Sequence, residues 1–161
     1  MYSQEFSPFL VREAAEGDLP SLLELEQACF SSPWVEEAFQ QELDLPQAEL
    51  WLVFEPGEGG PCAYIDFWVV SGEVSLLNVA VHPSARRRGL AGKLLALMEV
   101  RGAQRGGTAV FLEVRRSNVA GLALYAAEGY EQIGIRKGYY SNNKEDAVVM
   151  SKALDAGSKE R

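Results

Sequence analysis

The stretch from Glu73 to Val114 constrains the fold more than any other part of this chain. "EVSLLNVAV" is an apolar, β-branched run of strand length. After a short polar joint, Leu90, Leu94, Leu97 and Met98 recur at helical spacing until Gly106-Gly107 breaks the pattern, and "TAVFLEV" is strand-like again. A strand, a helix and a strand with short joints predict two parallel neighbouring strands linked by a right-handed crossover. The chain is therefore expected to be an α/β protein.

The remaining segments can be hung on this unit. Ser7 to Ala14 reads as a short strand, and Gly17-Asp18 offers a cap for a helix carrying Leu19, Leu22, Leu23 and Leu25. "SSPWVEEAFQQEL" predicts a second helix with a serine cap, proline in its first turn, and Glu36 and Glu37 at the positive end of the helix dipole. "ELWLVFE" and "CAYIDFWVV" are strands around a "PGEGGP" hairpin connection, and Ser71-Gly72 leads into the crossover strand. Beyond the crossover, "SNVAGLALYAAEG" has a serine or asparagine cap and a glycine stop, which predicts a shorter helix. "YEQIGIRKGYY" and "EDAVVMSKAL" are closing strands around the polar turn "SNNK", and "DAGSKER" is a frayed tail. With no repeat, linker or low-complexity segment, one α/β domain with a mixed sheet is expected.

At 161 residues such a domain buries a core without help from metal or disulfide. The 15 Lys+Arg against 23 Asp+Glu leave a net charge of -8, which argues against a broad basic surface for nucleic acid and suits a basic partner. Cys29, Cys62 and the single histidine, His82, match no metal-ligand spacing, so no metal is expected and both thiols read as reduced and structural. The first residues lack the basic start, apolar stretch and cleavage site of a secretory leader, and no apolar run approaches membrane-spanning length. A soluble, cytoplasmic protein that does not bind membranes is the expectation. His82, just before Pro83, reads as a turn residue, and no serine-aspartate pair supports hydrolase chemistry.

Against this acidic background, "VHPSARRRGLAGKLL" concentrates positive charge and glycine at the start of the crossover helix. Backbone N–H groups are exposed there and the helix dipole adds positive potential, so the turn is a candidate anion site, most naturally for phosphate. Gly89 and Gly92 let a ligand approach the backbone, while Arg86, Arg87, Arg88 and Lys93 add charge. A P-loop is excluded by Arg87 and Leu94 at its glycine and hydroxyl positions, and a dinucleotide fingerprint by Ala91 and Leu94. Taken alone, the turn could equally be a solvated basic cap on a core helix.

Its neighbours carry a resemblance. "LLNVAVHPSARRRGLAGKLL" resembles the acyl-CoA motif of the GNAT N-acetyltransferases, Q/R-x-x-G-x-G/A, filled here by Arg86, Gly89 and Ala91. "LEVRRSNVAGLALYAAEGY", "IRKGYYSNNKEDAVVM" and, more weakly, "CFSSPW" are similar to the RimI-type ribosomal-protein alanine N-acetyltransferases, so the resemblance runs from about Leu10 to Leu154. It implies a GNAT fold, a mixed central sheet with helices on both faces, with residues 1–154 as a single N-acetyltransferase domain and 155–161 as a flexible tail. It also implies acetyl-CoA as cosubstrate, with the backbone of Val79, Ala80 and Val81 engaging the pantetheine arm and thioester oxygen. Arg87, Arg88, Gly89, Leu90, Ala91 and Gly92 would cradle the pyrophosphate. Gly92 departs from the larger polar or basic residue common in the family, which loosens the turn.

Acetyl transfer to an amine needs a neutral amine and a proton for the departing thiolate, and an α-amine, with a pKa near ~7.7 to 8.0, is mostly protonated at neutral pH. The resemblance makes Glu113 the base, and its apolar strand predicts burial that raises its proton affinity. Read by itself, Glu113 is a surface residue paired with Arg115. Tyr125 is implied as the acid and Asn118 as a cofactor contact, the two placed about two helical turns apart on nearly one face. Without the resemblance Tyr125 is a core tyrosine with its hydroxyl at the edge. Trp34, Tyr139 and Tyr140 are implied to line an acceptor slot, and read equally well as packing aromatics. The implied acceptor is a protein N-terminus, the N-terminal alanine of a small-subunit ribosomal protein. Other N-termini, lysines or small amines, and a non-catalytic acyl-CoA sensor, are the competing readings. The sequence does not set the oligomeric state, and a monomer is compatible with it.

Overall fold

The computed structural model describes residues 5–57 and 59–155. In chain order its elements are β1 (Leu10–Glu13), α1 (Leu19–Cys29), α2 (Glu36–Asp44), β2 (Ala48–Phe54), β3 (Ala63–Val70), β4 (Glu73–Val81), α3 (Leu90–Gln104), β5 (Ala109–Arg115), α4 (Val119–Ala127), β6 (Glu131–Arg136) and β7 (Ala147–Ala153). Among the described residues the strands are hydrogen-bonded in the order β1-β2-β3-β4-β5-β7-β6. The parallel pair predicted from the crossover is present, with Glu73 opposite Ala109 and Ser75 opposite Phe111. The pairs β1–β2, β2–β3, β5–β7 and β6–β7 are antiparallel, which makes the sheet mixed. Apart from Asp155, the expected tail lies outside the described residues.

Contacts divide the chain into two compact units, Met1–Trp68 with Leu77–Met98, and Val69–Leu76 with Glu99–Arg161. In the first, α1 buries Leu19, Leu22 and Leu25 at helical spacing against Phe39, Leu50, Leu52, Tyr64 and Ala80. β2 is buried along nearly its whole length, and from Leu50 to Phe54 its sequence is continuously apolar rather than alternating. The start of α3 buries Leu90, Leu94, Leu97 and Met98, as its spacing predicts.

In the second unit, Ser71 and Gly72 have φ of 49° and 84°, left-handed values that suit a tight two-residue hairpin. α3 ends where Gly106-Gly107 predicts. Gly107 N donates to Gly102 O at 2.8 Å and Gly106 N to Ala103 O at 3.0 Å, which satisfies the last carbonyls of the helix. A Cβ on Gly102 or Gly107 would fall 2.6 Å from Val74 Cγ2, so these glycines allow the helix end to approach β4 closely.

Some boundaries differ from expectation. The first strand covers only Leu10–Glu13 of the predicted Ser7–Ala14. Asp18 stands at the α1 cap position, but its carboxylate accepts from Ala15 N and pairs with Arg12, each at 2.8 Å, instead of capping α1. α2 begins at Glu36 without the predicted serine cap, because Trp34 N is held by the Glu26 carboxylate at 3.0 Å and Val35 is extended. β6 stops at Arg136 because Gly138 turns the chain, with a φ of 57° and its N–H on Asp146 at 2.9 Å.

Four carboxylates are buried in the first unit: Glu26, Glu42, Glu49 and Asp66. Glu49 and Glu42 accept from the indoles of Trp51 and Trp68 at 2.8 and 2.7 Å. Asp66 is fully buried, and neither of its oxygens finds a donor among the described residues. Burial first, then the neighbouring Glu42, pushes its carboxyl far above the usual range, so the folded protein holds it protonated. A carboxyl raised by folding binds its proton more tightly in the folded state. Its stability contribution is full below the unfolded value and is lost as pH rises toward the folded one. Asp66→Asn is expected to flatten the fall in Tm between about pH 5 and about pH 8. Thermal melts across that range test this, and a decline parallel to that of the parent protein would show that Asp66 is not its source.

Candidate active site

In the first unit, β4 ends at Val81 and a short 3-10 turn, Pro83–Ala85, follows. His82 caps it, its Nδ1 accepting from Ser84 N at 3.0 Å, which agrees with the turn role read from the sequence. Ala85 is buried and anchors the turn, while Arg86, Arg87, Arg88 and Gly89 are exposed. Arg86 Nε donates to Val81 O at 2.9 Å, which ties the turn back to the strand. Arg87 and Gly89 both take left-handed φ, 66° and 74°, the kind of backbone that gathers N–H groups on one concave side. Lys93 N bonds back to Gly89 O at 3.1 Å, so the N–H groups of Leu90, Ala91 and Gly92 precede the hydrogen-bonded ladder of α3 and cannot be satisfied within it.

The charges here are differently committed. Arg88 stands 3.4 Å from Glu55, both well exposed, and 5.7 Å from the centre of the Phe9 ring. Arg87 and Lys93 have no ion-pair partner among the described residues. Two cations and three helix-start N–H groups therefore converge in sequence on one turn and suit an anion. Of the strand residues, Ala80 is buried in the core, and Val79 and Val81 are half-buried. The parallel register with β5 covers only Glu73 to Ser75, so it does not use the backbone groups of Val79, Ala80 and Val81. Trp34 packs on the same core, its ring 5.2 Å from Phe39, so its packing role is plain.

In the second unit, Glu113 lines a cavity of about 280 Å³ together with Glu73, Ser75, Phe111, Arg136 and Val149. The burial expected of Glu113 is absent: it is exposed, because the β5 face it shares with Phe111 opens into this cavity. Its ion-pair partner is Arg136, and Tyr139 donates to its other oxygen at 3.2 Å. Arg115, the partner suggested by sequence, instead meets Glu145 at 3.3 Å and stacks 3.9 Å over the Tyr140 ring. Tyr139 and Tyr140 pack edge-to-face at 5.1 Å, bringing one hydroxyl to Glu113 and one ring under Arg115.

Asn118 is the cap of α4, with φ of -80° and ψ of 77°, and its Oδ1 accepts from Gly121 N at 2.8 Å. Its side chain is thus folded over the first turn of the helix that carries Tyr125. Tyr125 is half-buried on α4, its ring 6.1 Å from Tyr130, and nothing among the described residues hydrogen-bonds its hydroxyl. Burial, and secondarily Tyr140, push its phenol up to about 12, so it keeps its proton at any ordinary pH.

Sequence reasoning did not single out Arg136, Glu73 or Ser75. Arg136 reaches Glu113 because β7 lies between β5 and β6 in the sheet, an arrangement that local spacing does not encode.

A profile of the acetyltransferase (GNAT) family matches residues 19–130. The chain belongs to the GNAT acetyltransferase family. It is 36% identical over 137 residues to the ribosomal protein bS18-alanine N-acetyltransferase of Escherichia coli K12, covering 83% of this chain and 90% of that one. It is 31% identical over 149 residues to the N-alpha-acetyltransferase RimI of Mycobacterium tuberculosis, covering 89% and 91% of the two chains. The crystal structure of the ribosomal-protein-S18-alanine N-acetyltransferase from Escherichia coli superposes with a TM-score of 0.82 at 30% identity, over 91% of this chain and 94% of that one. The expected GNAT fold is thus present in this acetyltransferase. Among the described residues of this GNAT protein, no group of histidine, cysteine and acidic side chains could hold a metal ion, and no helix is long and apolar enough to cross a membrane.

Proposed function

We propose that this GNAT acetyltransferase moves acetyl from acetyl-CoA to the α-amine of a ribosomal-protein N-terminus, the N-terminal alanine of bS18. The observation that supports this acceptor is the 36% identity to the Escherichia coli bS18 enzyme over 90% of that enzyme's length. The GNAT family uses acetyl-CoA, and the chemistry of the arginine-glycine turn fits its pyrophosphate: left-handed Arg87 and Gly89, the helix-start N–H groups, and the uncommitted charges of Arg87 and Lys93. When bound, acetyl-CoA supplies an activated acetyl thioester. Arg86 to Gly92 would hold the phosphates, and the backbone of Val79, Ala80 and Val81 the pantetheine arm and thioester oxygen, with Asn118 a further contact.

Glu113 would take the proton that an α-ammonium must lose before it can attack. Its position on an open cavity, and not in the core, makes it reachable by an amine. Arg136 and Tyr139 orient its two oxygens. Tyr125, neutral and with a free hydroxyl, would give its proton to the departing sulfur. Trp34, Tyr139 and Tyr140 would contact the acceptor peptide, and the net charge of -8 favours a basic ribosomal tail in the cytoplasm.

Thiol release from acetyl-CoA, followed with different acceptors, tests the assignment. Release is expected with a bS18 N-terminal peptide and to be lost when its α-amine is blocked. Release with polyamines or internal lysines instead would overturn the acceptor, and binding of acetyl-CoA with no release would make the protein a sensor.

A further inference from the structure

The proposed mechanism leaves the buried carboxylates unused, and Glu26 is the one tied to the Trp34 segment. Glu26, on α1, is 1% exposed, and each of its oxygens has a separate task. Oε1 accepts from the Tyr64 hydroxyl at 2.5 Å, and Oε2 accepts from the backbone N–H of Trp34 at 3.0 Å. The Tyr64 oxygen in turn accepts from Asn78 Nδ2 at 2.7 Å. Burial and the Glu26 carboxylate both push the Tyr64 phenol far up, so it keeps the single proton that it donates to Glu26. Its oxygen is then left to accept, and the Asn78 amide is held with its nitrogen inward. Asn78 directly precedes Val79 on β4, and the Tyr64 ring packs edge-on against Phe39, which touches Trp34.

We infer that Glu26 is a positioning residue of the transfer reaction. Its carboxylate fixes the Trp34 segment on the acceptor side and, through Tyr64 and Asn78, the strand that engages acetyl-CoA. A carboxylate this buried is costly unless each oxygen finds a donor, and here one donor is the Trp34 backbone and the other is Tyr64 on β3, which is itself bonded to Asn78 beside the cosubstrate strand residues. The inference rests on the reading that Trp34 lines the acceptor slot and that Val79–Val81 bind the cosubstrate.

Glu26→Gln keeps the shape but replaces one acceptor oxygen by an NH2 donor; with the amide oxygen kept on the Tyr64 hydroxyl the Trp34 N–H loses its partner, and the opposite orientation is reached only if Tyr64 and Asn78 both turn over. The KM for a bS18 N-terminal peptide is expected to rise about fivefold or more, with kcat and the KM for acetyl-CoA within about twofold of the parent. A purely structural role would lower Tm and the fraction of active enzyme, leaving both KM values of the folded fraction unchanged, and that result would overturn the inference. Trp34→Ala, measured alongside, separates the two ideas. If it raises the peptide KM and Glu26→Gln does not, the positioning role falls and the acceptor reading stands; if neither raises it, both fall. Asn78→Ala changes a half-exposed position and leaves the buried Tyr64–Glu26 bond in place, so it serves if Glu26→Gln does not fold. It is expected to raise the KM for acetyl-CoA about threefold, and an unchanged value would overturn the link to the cosubstrate strand.

Discussion

Tyr125→Phe is expected to lower kcat by about 100-fold or more while leaving the dissociation constant of acetyl-CoA within about twofold. The change removes one oxygen atom from a half-buried ring that packs on Tyr130, so the fold and the ring contact survive. What is lost is the hydroxyl proposed as the proton donor, which no other described residue engages. The pH profile gives a second reading of the same residue. With the phenol pushed up to about 12, the acid form persists until pH approaches that value, so Tyr125 contributes no alkaline fall below about pH 11. The rate is expected to climb as the α-amine of the acceptor deprotonates near ~7.7 to 8.0 and then to level off. A loss of activity centred near pH 9, or a Tyr125→Phe enzyme with parental kcat, would assign the proton to another group.

Gly89→Val is expected to reduce acetyl-CoA affinity by at least about tenfold, a loss of about 1.4 kcal/mol. A Cβ at Gly89 would meet nothing within 4 Å, so crowding is not the cause. The cause is the backbone: φ is 74°, a region that costs a β-branched residue of order 1–3 kcal/mol. Relieving that strain means rotating the turn that leads into the first N–H groups of α3. Gly89→Asn, which tolerates left-handed φ, is therefore expected to keep most of the affinity. Arg87→Ala, which removes one exposed charge, should weaken binding by only about two- to fivefold. Calorimetric titration of the three variants decides between backbone and charge. Equal losses from Gly89→Val and Gly89→Asn would mean that the side chain, and not the φ value, obstructs the site.

The parallel crossover, the positions of nearly all the strands and helices, and the arginine-glycine turn were legible from residue type and spacing. Each is built from features set by neighbouring residues: periodic burial forms the elements, Gly106-Gly107 ends α3, and Gly89 is needed where the turn goes left-handed. Sequence failed where another group competes for the same donor or acceptor. The serine cap of α2 is absent because Glu26 holds Trp34 N, and Asp18 does not cap α1 because Arg12 and Ala15 claim its carboxylate. Asn118, by contrast, was readable as a cap from its own neighbours, and it caps α4 through Gly121 N.

Glu113 shows the same division at the site itself. Its strand was evident from "VFLEV", but whether a strand residue faces a core or a cavity depends on what covers that face of the sheet. Its partner depends on the order in which strands are laid down. The sequence by itself determined the elements and the arginine-glycine turn, because backbone preference and periodic burial act over neighbouring residues. The tertiary structure alone decided that Glu113 meets Arg136 and Tyr139 and not Arg115, and that Glu26 joins Trp34 to Tyr64 and Asn78. Those pairings join residues brought together by the strand order and by the packing of α1 on the core, contacts that no local pattern specifies.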